Sequence, residues 1–188
     1  MGIAPRPRPG NPVHSSLYYL IIHMGIVLCE SAVMGLMGWV MSPVTQGQLT
    51  GGEDATGNLP GLVFLMGFFS WLNSAAVIGL WLTEVYNPPL TRALIQAFLL
   101  LPINGAAGFF LGWKNNWTVF LGSCKLGSIL CKSVWKLVVR IEGVTTFLIG
   151  VVCVLTIIDI LGSLRLWHSQ RKTLKRLVQS TKAPYSPQ

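Results

Sequence analysis

Four stretches of the chain, residues 17–41, 61–82, 93–113 and 143–164, are apolar with few interruptions. Each is about as long as the roughly 20 residues a helix needs to cross ~30 Å of hydrocarbon. In hydrocarbon no water satisfies backbone groups, so each stretch must pair its own N–H and C=O groups as a helix. The pattern predicts an all-α integral membrane protein with a four-transmembrane-helix bundle over 17–164, flanked by tails 1–16 and 165–188. The first stretch follows Arg6 and Arg8 as a signal sequence would, but it is too long for an h-region and no small-x-small site ends it before Trp39. It is read as a retained span. The preceding Pro5-Arg-Pro-Arg-Pro-Gly-Asn-Pro12 run reads as a short extended tail.

The connections carry the topology. Residues 42–60 hold Glu53 and Asp54, no Lys or Arg, and many Gly, Thr and Ser, as expected of a translocated loop. The N-terminal tail carries Arg6 and Arg8, and the C-terminal tail carries Arg165, Arg171, Lys172, Lys175, Arg176 and Lys182 with no acidic residue. The positive-inside rule places both tails on the cytoplasmic side. Residues 83–92, with Glu84 and Pro88-Pro89, form a tight connection on that same side.

The third connection conflicts with this alternation, because Lys114, Lys125, Lys132, Lys136 and Arg140 fall where the chain should be outside. On a helical wheel the four lysines lie within about 40° of one another. Val119, Leu121, Cys124, Ile129, Leu130, Val134, Trp135 and Val138 fill the other faces. A narrow lysine stripe on an apolar helix suits the headgroup region, so residues 117–139 are expected to form an interfacial amphipathic helix between the third and fourth spans. A fifth span is the rival reading. The third span also contains Pro102-Ile-Asn-Gly105, which predicts a kink or a re-entrant segment. The sequon Asn116-Trp-Thr118 agrees weakly with an outward connection.

Composition adds the class. Of 188 residues, 52% are hydrophobic and 11% charged, which sets the chain apart from ordinary soluble domains. The net charge of +8 fits topology signals and anionic lipid. Contacts to anionic headgroups are expected from Lys125, Lys132, Lys136, Arg171, Lys172, Lys175 and Arg176. No soluble basic domain is present to bind nucleic acid. Cys29, Cys124, Cys131 and Cys153 have no C-x-x-C spacing and give no metal or redox signature. Trp39, Trp81, Trp113, Trp117, Trp135 and Trp167 mostly fall near span ends, where an amphipathic ring is best placed.

Polar residues within the spans are the candidate functional groups. Glu30, Asn73 and Asn104 sit near the centres of the first three spans, His23 lies two helical turns from Glu30 on the same side, and Asp159 lies at the depth of His23. A carboxylate in lipid costs several kcal/mol unless neutral or paired, so both acids should face the interior or a partner. The expected arrangement is structural: Glu30 protonated and hydrogen-bonded to Asn73 or Asn104, and Asp159 paired with His23 or reaching Arg165. Small-xxx-small patterns at Ser31/Gly35, Ser70/Ser74 and Gly108/Gly112 supply surfaces where helices approach closely.

Catalytic motifs are missing: there is no G-x-S-x-G, H-E-x-x-H or P-loop, and His14, His23 and His168 include no haem-ligating pair within a span. No metal or other cofactor is implied. The expectation is a non-catalytic accessory or structural subunit of a larger membrane complex. Its partners would be other membrane subunits, or itself as a homo-oligomer, together with the bilayer. A eukaryotic endomembrane or the plasma membrane is favoured, with an organelle inner membrane left open. The first alternative is a small oligomeric channel or proton- or ion-coupled transporter with Glu30 in the path. The second is a membrane-embedded lipid-modifying enzyme using His23 and Asp159.

Overall fold

The computed structural model describes residues 12–42, 59–83, 87–117 and 129–181, and every regular element among them is helical. Helix α1 (Pro12–Val40) starts on a proline, whose missing N–H costs nothing in a first turn. Helix α2 (Leu59–Leu82) likewise carries Pro60 in its first turn, and Thr83 Oγ1 donates to the Gly79 carbonyl at 2.9 Å where it ends.

Helix α3 (Pro89–Ile95) opens after Pro88, which is held extended at φ −61° and ψ 123°. It passes through a π-helical stretch (Gln96–Leu100) into α4 (Leu101–Trp117), and Pro89–Trp113 is long and apolar enough to cross a bilayer. Pro102 explains the π stretch. It has no N–H to give the Phe98 carbonyl one turn back, and its ring crowds that carbonyl, so the widened turn precedes it. The chain therefore absorbs the proline as a local π turn and continues through it as helix. Arg92, assigned from sequence to the second connection, lies inside α3.

Helix α5 (Ile129–Thr181) is continuous for 53 residues, about 80 Å at 1.5 Å per residue, against ~30 Å of hydrocarbon. The expected interfacial segment over 117–139 and the expected fourth span thus share this helix from Ile129 onward. The two are one helix there because no proline interrupts it and Arg140 and Glu142 are not helix breakers. Val138 is 1% exposed and belongs to the same apolar core as Ile149, so this part of the segment packs with the bundle. Trp117 ends α4, and Lys125 with the rest of residues 118–128 lies outside the described residues. Lys132 is within α5, although its side chain is not among those described, and Lys136 is exposed.

Close approaches fix how the helices run. Antiparallel α1 and α2 meet at Ser31 with Trp71 and at Met41 with Gly61. Antiparallel α1 and α5 meet at Gly25 with Leu155 and at Tyr19 with Gly162. The third span runs antiparallel to α5, with Gly108 against Ile149 and Gly112 against Thr146, and α2 packs on the third span to complete the ring. Four helices are thus long and apolar enough to cross a membrane, and neighbours in sequence are neighbours in space.

The interior is divided by depth. Toward the loop end, opposite the tails, Val33, Met37, Val40, Val63, Ala107, Leu111, Val138 and Ile149 form an apolar core. Nearer the tails the buried positions turn polar. Outside, Phe98 (79% exposed), Phe147 (71%) and Leu28 (66%) point away from every other helix, an arrangement suited to an apolar surrounding.

Candidate functional site

Three i, i+4 pairs on three helices generate the main polar cluster, since residues four apart share a helix face. Tyr19 and His23 come from α1, Arg92 from α3 with Gln96 at the start of the π stretch, and Asp159 and Ser163 from α5. Ser74 of α2 joins them, so all four spans contribute. His23, Ser74, Gln96, Asp159 and Ser163 are each at most 2% exposed.

Asp159 is the hub. Gln96 Nε2 donates to its Oδ2, His23 Nε2 stands 3.2 Å from the same oxygen, and Arg92 Nε stands 3.6 Å from it. His23 Nδ1 lies 3.3 Å from the Ser74 hydroxyl. With that hydroxyl donating to Nδ1, the imidazole proton sits on Nε2 and faces the carboxylate. Arg92 also donates from Nε (3.1 Å) and Nη2 (2.7 Å) to Ser163 Oγ. Its guanidinium lies 4.0 Å from the centre of the Tyr19 ring, a cation–π contact. Gly162 makes that stacking feasible: a Cβ there would meet Tyr19 Oη at 3.2 Å and Tyr18 Cε1 at 3.3 Å.

A guanidinium and a carboxylate at this separation attract by about 4 kcal/mol at an effective dielectric near 20, which offsets part of the cost of burying both charges. As an ion pair, Arg92 and Asp159 carry no net charge together. Asp159 Oδ1, the Gln96 carbonyl oxygen and His23 Nε2, the last despite its 3.2 Å approach to Asp159, have no hydrogen-bond partner among the described residues.

A second layer lies deeper, one heptad along α1, about 10 Å from the first. Glu30 is 1% exposed, and neither carboxyl oxygen has an aligned donor among the described residues. Asn104 Nδ2 donates to Ser70 Oγ at 3.1 Å, and Ser70 in turn lies within electrostatic reach of Glu30. Asn73 is half-buried, with its amide nitrogen enclosed and unpartnered among the described residues. Asp159 stands away from this layer, engaged with the first.

The small-residue patterns separate. Gly108 and Gly112 sit at the α4–α5 contact, where a Cβ would lie 3.1 Å from Ile149 and 3.4 Å from Thr146. Ser70 and Ser74 are buried and carry hydrogen bonds. Ser31 and Gly35 are exposed, and nothing lies within 4 Å of a Cβ built on Gly35. Ser31 Oγ accepts from Trp71 Nε1 at 3.1 Å and donates to the Val27 carbonyl. In the C-terminal part of α5, Arg165, Arg171, Lys172, Lys175 and Arg176 are exposed, and Arg171 lies over the Trp167 ring at 5.2 Å.

Sequence reasoning missed Arg92, Gln96, Tyr19 and Ser163. The usable signal was the i, i+4 spacing of Arg92 with Gln96 and of Asp159 with Ser163. Glu142, which directly precedes the expected fourth span, was missed as well: it is 2% exposed inside α5. No group of three or more His, Cys, Asp or Glu side chains that would hold a metal occurs among the described residues. Compared with protein-family models, curated proteins and solved structures, the chain matches none.

Proposed function

We propose that this chain is a four-span membrane bundle acting as a non-catalytic accessory or structural subunit of a larger membrane assembly. The observation that carries the reading is where polarity and openness fall. Arg92, Asp159, His23 and Gln96 set their charges against one another in the interior. The outward face of α1 instead leaves Ala32 and Gly35 exposed, with open space at Gly35, beside the Ser31–Trp71 contact with α2. In a bilayer, small residues facing outward let another helix approach closely.

Both tails lie on the cytoplasmic side in this account, and the basic residues of α5 beyond Leu164 meet anionic headgroups, each worth about 1 kcal/mol near the surface. The test is Gly35→Leu in protein isolated from its native membrane in mild detergent. Loss of co-purifying chains with unchanged folding supports the assignment, and an unchanged set of partners counts against this face. A second reading, a small channel or proton-coupled transporter, is favoured by one feature: the polar layers of His23–Asp159 and Glu30–Ser70–Asn104 are stacked along one interior line. Ion flux through liposomes containing only this chain would favour it.

A further inference from the structure

Two buried carboxyl groups occupy contrasting surroundings. Asp159 faces a guanidinium, an imidazole and an amide donor. Glu30 faces none of these. From α2 it meets Gly67 and Ser70, where a Cβ on Gly67 would come 3.0 Å from Glu30 Oε2. The Asn104 amide has already turned its nitrogen to Ser70. From α5 the titratable group within reach is Cys153, and on α1 it is Cys29, with His23 two turns away and engaged with Asp159 and Ser74. No Lys or Arg of the described residues faces Glu30 from any packed helix.

An ionised carboxylate here would be a buried charge with no counter-charge, the costliest state available to it. A carboxylic acid removes the charge and gains a donor for the neighbouring hydroxyl or amide oxygens. Two environments that drive two acids apart assign them different protonation states. A bound monovalent cation is a weaker fit, because it needs several oxygens around it and the nearby amide presents nitrogen to Ser70.

We propose that Glu30 is a proton-binding site, a carboxylic acid in the folded bundle, with Gly67 leaving the space its carboxyl group fills. The proposal does not rest on the accessory-subunit reading, since either a subunit or a transporter can carry such a site.

Infrared difference spectroscopy of the full-length protein in lipid nanodiscs at neutral pH tests it. The expected result is a carboxylic-acid carbonyl band, above the amide I region, that is lost in Glu30→Gln and retained in Asp159→Asn. An unchanged spectrum in Glu30→Gln, with no acid band in the parent, overturns the proposal. A hydrophobic carbodiimide gives an independent readout on the unmodified protein. The protonated carboxyl adds across one C=N bond, its proton passing to nitrogen, and the adduct rearranges to a stable acylurea found by mass spectrometry. Labelling at Glu30 that is insensitive to Na⁺ is expected. Absence of labelling, or protection by Na⁺ with disappearance of the acid band, would instead make the site a carboxylate or a cation site.

Discussion

Asp159→Asn isolates the charge of the main cluster with little change of shape. Asparagine keeps an oxygen to accept from Gln96, so that hydrogen bond survives while the Coulomb attraction of Arg92 at 3.6 Å is lost. Arg92 is then a charge in the interior of the spans with Ser163 and the Tyr19 ring as its remaining company. Breaking a buried pair from one side costs about 3–5 kcal/mol in soluble proteins. A lone charge at mid-helix costs about 2.5–3.5 kcal/mol by insertion scales. Arg92 lies toward the tail end and keeps two contacts, so the cost falls around the bottom of that range, about 2–3 kcal/mol. That lowers the folded-to-unfolded ratio roughly 30- to 150-fold. Removing the orphaned charge should recover most of the loss, so Arg92→Gln/Asp159→Asn should be more stable than Asp159→Asn alone. The assay is unfolding in mixed micelles titrated with a denaturing detergent, followed by helical circular dichroism, for the parent, both single variants and the double variant. A loss under about 0.5 kcal/mol for Asp159→Asn, or additivity within about 0.5 kcal/mol across the cycle, would refute the coupling.

Three further outcomes are expected. Gly108→Leu drives a side chain into Ile149, 3.1 Å from the first added carbon, and should cost about 1–3 kcal/mol in the same titration, whereas Gly35→Leu, which meets nothing, should be near neutral. Glu30→Gln should leave stability within about 0.5 kcal/mol, while Glu30→Leu should lose about 0.6–2 kcal/mol by stripping neighbouring polar groups of a partner; equal losses in the two would contradict this. Cysteine labelling of intact cells should reach a Cys placed at Thr56 and spare one at Ser180, and the reverse pattern would invert the topology.

The spans were legible because burial in lipid demands long apolar runs, and helix limits follow from where such runs meet proline and polar loops. The lysine stripe was harder to read. Wheel geometry placed Lys125, Lys132 and Lys136 on one face, but from Ile129 nothing local ends the helix before the fourth span, and that Val138 packs into the core is set by the tertiary fold. The site was legible in part. Glu30, His23 and Asp159 stand out as ionisable residues in apolar runs. Arg92 and Gln96 do not, because at a span's edge they look like interface residues, and their inward direction depends on which face α3 turns to α5. The π turn before Pro102 is a further case. Proline signals a disturbance in the helix, yet whether it becomes a kink or a widened turn is settled by the packing of Gln96, Leu100 and Asn104 on one buried face.

In the proposed function, this bundle works by assembling with other membrane chains. Isolation of the tagged protein from its native membrane in mild detergent, with the mass of the intact complex and the identity of its chains determined together, tests that most directly. The account predicts one or more different membrane subunits in fixed stoichiometry, lost in Gly35→Leu while the bundle remains folded. A preparation containing this chain alone, as a monomer or homo-oligomer, and conducting ions in liposomes until Glu30→Gln stops the flux, would contradict it.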